Sequence, residues 1–210
     1  MEDVPRSRRD EYSEATRRAL LDSAARLFAE KGFAATSLDE VAAGARVTKG
    51  AVYHHFANKQ ALFEAVADQV EEDACAAILD AAAAEAPDTW RGTVAGLECF
   101  LERCLDPVYR RLCFQEGPAV LGFANWWEHG EKHEIGLIRG MLAALHAEGL
   151  VEHEDLDTLT QLLFGSMAAA ALSLARAEDP KAESLRVRDA TLRILAGLRP
   201  SGLPLGTDAQ

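Results

Sequence analysis

From Thr16 onward, the apolar residues Leu20, Ala24, Leu27 and Phe28 recur at the spacing of one helix face, and Lys31-Gly32 supplies a C-terminal stop. Ser37-Leu38-Asp39-Glu40 reads as a capping box, the serine oxygen taking the N3 amide while Glu40 reaches back to the cap amide. The helix it opens has Leu38, Val41 and Ala42 on its inner face, and Gly44 is expected to end it in the left-handed C′ conformation. Thr48 predicts the N-cap of a third short helix through Phe56, with Val47, Val52 and Phe56 facing inward. Asn58 caps a fourth helix carrying Leu62, Phe63, Val66 and Val70. Three helices in about 40 residues are a helix-turn-helix arrangement.

Beyond residue 70 the pattern stays helical, and no stretch alternates as a strand would. An Ala-rich run, Ala74 to Ala86, ends before Pro87, and an amphipathic stretch from Thr93 through Leu105 ends before Pro107. Pro107 and Gly117-Pro118 bracket a short segment, Val108 to Gln115. A long helix is predicted from about Ala124 to Glu148, closed by Gly149 with Leu150 placed for a Schellman contact. Leu156, Leu159, Leu163, Met167, Ala170 and Leu174 form a further helical face, and Asp179-Pro180 opens the last helix, striped by Leu185, Leu192 and Leu195. The expected organisation is an all-α chain: a flexible basic arm over 1–13, a three-helix DNA-binding domain over 14–59, a helical ligand-binding and dimerisation domain over 60–199, and a disordered tail over 200–210.

The 210 residues carry a formal net charge of −12, a balance that at first excludes nucleic acid. Its distribution reverses that reading. Residues 1–59 hold 10 Lys and Arg against 9 Asp and Glu, whereas 60–210 hold 12 against 25. Within 16–59 the count is 7 basic to 4 acidic, so a local cationic face can sit on an acidic protein. Cys75, Cys99, Cys104 and Cys113 fall at irregular spacings that suit buried thiols better than disulfides or a paired metal set. Apolar runs such as Met167 to Leu172 fall far short of the ~20 residues of a bilayer helix, and Met1-Glu2-Asp3 opens no signal peptide. A cytoplasmic chain with no membrane partner is expected.

A helix that enters a major groove needs small residues near its start and outward hydrogen-bonding groups. Thr48-Lys49-Gly50-Ala51 meets that need, with Tyr53 and His54 one turn on and Lys59 at the next helix start, where phosphate is attracted. The whole run from Lys31-Gly32-Phe33 through Thr36-Ser37 to Val47-Thr48-Lys49-Gly50, Tyr53, His55-Phe56 and Asn58-Lys59 resembles the DNA-binding domain of the TetR family of bacterial transcriptional regulators. The resemblance implies that Thr36, Tyr53 and Lys59 position phosphates while Lys49, Ala51, Tyr53 and His54 face bases. Arg46 can act from the turn, and the Ser37 hydroxyl is a capping group first and a phosphate contact second. Two readings of Tyr53 stand side by side, phosphate contact and a ring capping the small core; for Lys59 the N-cap position favours phosphate contact over a solvated lysine. His55 reads as a packing residue.

In the acidic half, Phe100, Cys104, Phe114, Phe123, Trp126, Trp127, Phe164 and Met167 are candidates to line an apolar effector cavity, against the plainer reading that they are core. Leu163, Ser166, Ala170, Leu185, Leu192 and Leu195 are candidates for a two-fold helical interface, with packing inside one chain as the alternative. His129 and His133 stand at i, i+4, a spacing that lets two imidazoles share a metal, but no third ligand is evident and a solvated face is expected instead. No cofactor, metal or catalytic constellation is expected. The resulting reading is a non-enzymatic regulator: a homodimeric repressor of a palindromic duplex operator, released by a small-molecule effector. An enzyme on the helical half and a protein that coats DNA without an effector are the rivals from other classes.

Overall fold

Apolar residues recur at helical spacing throughout, and the computed structural model, which describes residues 8–152 and 155–200, is all helical over those residues. α1 (Arg8–Lys31), α2 (Leu38–Gly44) and α3 (Lys49–His55) form the N-terminal unit, and α4 (Lys59–Ala83) runs from it into the second part. There α5 (Thr89–Leu105) leads to a short α6 (Pro107–Tyr109), which widens into a π-helical turn over Arg110–Glu116. α7 (Gly117–Leu121), α8 (Phe123–Ala147), α9 (Leu156–Arg176) and α10 (Pro180–Gly197) complete the fold.

The caps explain most of these boundaries. Ser37 and Glu40 form both halves of the capping box, and Thr48, Asn58, Asp88 and Asp179 each accept an amide of the first turn they precede. After α8, Gly149 at φ +69° donates to His146 O and Leu150 donates to Leu145 O, a complete Schellman end.

Leu20, Ala24, Phe28, Val41, Val52, Leu62 and Phe63 make the core of the N-terminal unit, with Phe28, Phe33 and Phe63 as mutual ring neighbours at 5.4–5.8 Å. The same cluster continues along α4 through Val66, Ala74 and Ile78 to α5 and the π-helical turn. The boundary expected at 59/60 is therefore the start of a 25-residue helix shared by both units, and the Ala-rich run is the end of that helix.

Two further expectations are corrected. α1 begins at Arg8, so residues 8–13 of the expected loose arm are helical; Asp10 and Glu11 in the first turn suit the positive helix end, and that turn needs no apolar partner. Gly44 is not left-handed but is the last helical residue of α2, and Arg46 at φ +57° makes the left-handed turn instead. Gly44 is small because a Cβ there would stand 2.3 Å from Ser23 Oγ, whose hydroxyl donates to Val41 O at 3.0 Å. The expectations for residues 1–7 and 201–210 lie outside the described residues.

α9 has the length and apolar composition of a bilayer-spanning helix, contrary to the sequence expectation, and it packs here against α8, α10 and the π-helical turn. α4 and α5 approach closely, and a Cβ on Gly92 would lie 2.8 Å from the Ala82 carbonyl oxygen. Gly92→Ala must displace backbone and should cost about 1–3 kcal/mol, read as a lower denaturant midpoint with unchanged slope. An unaltered midpoint would show that the two helices have room to part.

Candidate nucleic-acid interface and effector cavity

α3 turns Val52 into the core and leaves Thr48, Lys49, Gly50, Tyr53 and His54 exposed, with Ala51 half-buried. Tyr53 keeps 53% of its surface accessible, so its ring is not the lid of the small core. Thr48 caps the helix through its hydroxyl, which accepts from Ala51 N at 3.3 Å. A Cβ on Gly50 would meet only Thr48 Oγ1, at 3.8 Å, so nothing in the chain's own packing requires glycine there. Lys49 is paired with Asp39 of α2 at 2.9 Å, both exposed, and that hydrogen bond raises the ammonium pKa. Ser37 and Arg46 are exposed beside this face, while His55 is half-buried, its pKa lowered by burial and then by His54 and Arg17.

The turn between α1 and α2 places two candidates differently from the sequence expectation. Thr36 is buried and its hydroxyl donates to Gly32 O at 2.8 Å, so it fastens the turn and presents nothing to phosphate. Lys59 donates to the carbonyls of Phe33 (2.7 Å), Thr36 (2.9 Å) and Ala34 (3.3 Å), with its ammonium 4.4 Å from the Phe33 ring centre. Its three donors are thus spent inside the fold. From the other side, Phe33 N–H donates to Glu116 at 2.5 Å, and Arg111 donates to Ala29 O at 2.9 Å while pairing with Glu116 at 3.3 Å. Arg111 and Glu116 both belong to the π-helical turn, so the second part of the chain grips the N-terminal unit directly. Gly32, at φ +85°, leaves room for this grip: a Cβ there would stand 2.5 Å from Glu116 Oε1.

Between α4, α5, α8, α9 and α10 lies an apolar cavity of ≈ 90 Å³, lined by residues that include Leu97, Phe100, Met141, Leu142, Met167 and Leu195. It adjoins an open groove of ≈ 620 Å³ that shares Cys75, Thr93, Leu137 and Met141 with it. Of the sequence candidates, Phe100 and Met167 line this cavity. Phe114, Trp126, Trp127 and Phe164 line a separate narrow crevice, which meets the cavity at Phe100 and Glu134. Cys104 is fully buried in the core and Phe123 is 63% exposed, so neither lines the cavity, because α5 turns the first inward and the start of α8 turns the second out.

The cavity holds one ionisable group of note that belongs to none of the sequence motifs. Glu134 lines it with no hydrogen-bond partner among the described residues. Burial, with the Glu71 carboxyl beside it, pushes its pKa up to about 8. Glu71, buried on α4, accepts from Tyr109 Oη at 2.9 Å, and burial raises its pKa as well. The available signal is an interrupted apolar row: Glu71 falls among Phe63, Ala67, Ala74 and Ile78, and Glu134 among Leu137 and Met141. Of the interface candidates, Leu195 is buried, Leu163 lines the cavity and Leu192 packs against the core, whereas Leu185 is 68% exposed. Ser166 donates to Leu163 O, and both Ser166 and Ala170 are half-buried. The outward apolar side chains of these two helices are Leu162, Leu185 and Ile194.

Comparison with known proteins supplies an independent reading. A family model described as bacterial regulatory proteins, tetR family, matches residues 20–66, and one described as tetracyclin repressor-like, C-terminal domain, matches 90–198. The Transposon Tn10 TetC protein of Escherichia coli is 30% identical over 192 residues, covering 87% of this chain and 93% of TetC. The HTH-type transcriptional regulator AcrR of Shigella flexneri is 46% identical over 54 residues, covering 26% of this chain and 25% of AcrR. Among solved structures, a TetR-family transcriptional regulator of Pectobacterium atrosepticum superposes with a TM-score of 0.79 at 32% identity, covering 92% of this chain and 98% of that one. RolR in complex with resorcinol shares the fold, with a TM-score of 0.69 at 24% identity over 93% and 98% of the two chains.

Two outcomes follow from this geometry. Gly50→Ala should leave the fold intact, or raise its stability by about 0.5–1 kcal/mol as Gly→Ala does in a helix, while weakening binding to any duplex that approaches α3; a stability loss would show that Gly50 serves the chain's own packing. Because the Glu134 pKa is raised, its stabilising contribution is complete below the ordinary carboxyl range and is lost as pH rises through about 8. Melting temperature should fall between pH 5 and 8, and Glu134→Gln should flatten part of that slope, Glu71 supplying the rest; an unchanged slope in the variant would contradict the assignment.

Proposed function

The chain belongs to the TetR family and is a helix-turn-helix transcriptional regulator, and from that membership we propose that it is a homodimeric repressor, working in the cytoplasm, that binds a palindromic operator and is released by a small-molecule effector. The family is one of regulators rather than enzymes, and the chain's role is read as binding alone. The observation that carries the DNA reading is the outward face of α3, where Thr48, Lys49, Tyr53 and His54 surround a glycine with open space above it. Lys49 and Tyr53 are assigned to base edges and phosphate, with Ser37 and Arg46 as flanking phosphate contacts. Asp39 holds Lys49 in the free protein and must release it to the duplex.

Two such faces are needed to read half-sites about 34 Å, or a multiple of it, apart. The exposed Leu162, Leu185 and Ile194 support pairing of α9 and α10 with a second copy as a four-helix bundle. The assigned interface is this outward set rather than the buried Leu195.

The effector is assigned to the cavity beside Glu134: a compact apolar molecule that offers a hydrogen-bond donor or positive group to the unpartnered carboxyl. Its route to the DNA face is through Tyr109 at the cavity wall, the π-helical turn and the Arg111–Glu116 grip on α1. An effector that favours the DNA-incompetent arrangement by about 1–3 kcal/mol would weaken operator binding by the factor by which DNA weakens its own binding.

Selection of bound duplexes from a random library by the purified protein tests this reading. A palindrome with two half-sites should be enriched, and Lys49→Ala should reduce affinity for it by at least about tenfold, the worth of one good base or phosphate contact, with circular dichroism unchanged. No enrichment, or equal affinity in the variant, would remove α3 as the recognition element.

A further inference from the structure

His129 and His133, one turn apart on α8, both face Asp68 on α4, a residue 61 positions upstream of the first of them that the sequence alone does not connect to either. His133 Nε2 lies 2.8 Å and His129 Nδ1 3.6 Å from the same carboxylate oxygen, Asp68 Oδ1. One ligand atom from each of the three residues lies within 4.8 Å of the others. Adjacent ligand atoms around a tetrahedral zinc with 2.0–2.1 Å bonds stand about 3.3 Å apart. The observed pair of distances brackets that value. We propose that Asp68, His129 and His133 form a binding site for a borderline divalent transition metal, with Zn2+ as the best fit, which bridges α4 to α8 and leaves a fourth position for water.

The ligand chemistry selects the metal class. Two imidazoles and one carboxylate suit zinc and its neighbours, whereas calcium and magnesium ask for oxygen alone and copper(I) for sulfur. The imidazoles are already held in place by the fold, since their side chains keep only 10% and 7% of their surface, and little ordering remains when a metal arrives. Hydrogen bonding within the fold accounts for His133 but not for the His129 nitrogen that faces the site, Nδ1, which stands at 3.6 Å, beyond hydrogen-bond reach of Asp68 Oδ1. The competitor is Lys132, whose ammonium lies 2.8 Å from Asp68 Oδ1 but is 62% exposed and free to swing into solvent. Glu64, also on α4, adds negative potential beside His129, which favours a cation.

A metal at this point acts on the allosteric frame. α4 carries the DNA-facing unit at its start, and on α8 the residue after His133 is Glu134 of the cavity. The site itself is independent of the effector reading.

Titration of the full-length, chelator-stripped protein with Zn2+ by calorimetry, and with Co2+ by its visible absorption, tests the site. One Zn2+ per chain should bind and raise the melting temperature, and Co2+ should give the intense bands of a four-coordinate centre. Asp68→Asn and His129→Ala should each weaken Zn2+ by well over the 10–100-fold typical of losing an outer-shell partner. Lys132→Ala removes the competing cation without touching a ligand and should tighten binding. Zn2+ binding that is absent, or equally tight in Asp68→Asn, or weakened in Lys132→Ala, overturns the proposal. Operator binding plays no part in these readouts, so they stand or fall apart from the proposed function.

Discussion

The arrangement rests on one short turn, Gly32 to Thr36, that no single element could hold. Three carbonyls of this turn converge on the Lys59 ammonium at the start of α4, while its Phe33 amide is held by Glu116 of the π-helical turn. Carbonyls that converge in this way repel one another unless a cation sits among them, so Lys59 is a requirement of the local fold before it can be anything else. The turn sets where α2 leaves α1, and α2 with its capping box sets where α3 lies. Whatever moves the grip on this turn moves the recognition face.

That constraint links two chemically unlike regions. The outward face of α3 is polar and exposed, whereas the space between α4, α5, α8, α9 and α10 is apolar with one carboxyl left unpartnered. A buried carboxyl without hydrogen bonds is costly and avoids ionisation, which is why Glu134 holds its proton toward pH 8. Asp68, His129 and His133 meet between the two helices that carry Glu71 and Glu134, α4 and α8.

Much of the N-terminal unit is legible in the sequence because its signals are local. The Ser37–Glu40 box, the Thr48 and Asn58 caps and the apolar spacing of Leu20 to Phe28 each act within four residues or along one face, and each stands as expected. Sequence and structure part where a residue's partner is distant in the chain. Lys59 and Thr36 occupy positions that suit phosphate binding, and only the folded turn shows their polar atoms spent on Gly32, Phe33, Ala34 and Thr36. Gly44 departs from expectation for a related reason: its need for smallness comes from Ser23 on another helix, not from its own backbone. In the second part, an aromatic residue at helical spacing looks the same whether it lines a cavity, as Phe100 does, or projects outward, as Phe123 does. Likewise Asp68 cannot be matched to His129 and His133 until α4 and α8 are packed together.

The central claim is that the second part of the chain governs the recognition face through the grip on the turn after α1. The most direct test is the operator affinity of Glu116→Ala beside that of the unaltered protein, with folding followed by circular dichroism. A folded variant is expected, with affinity changed by about tenfold or more, that is about 1.4 kcal/mol or above within the 1–3 kcal/mol range of allosteric couplings. Equal affinity would contradict it, since the DNA-binding unit would then set the pose of α3 without help from the π-helical turn.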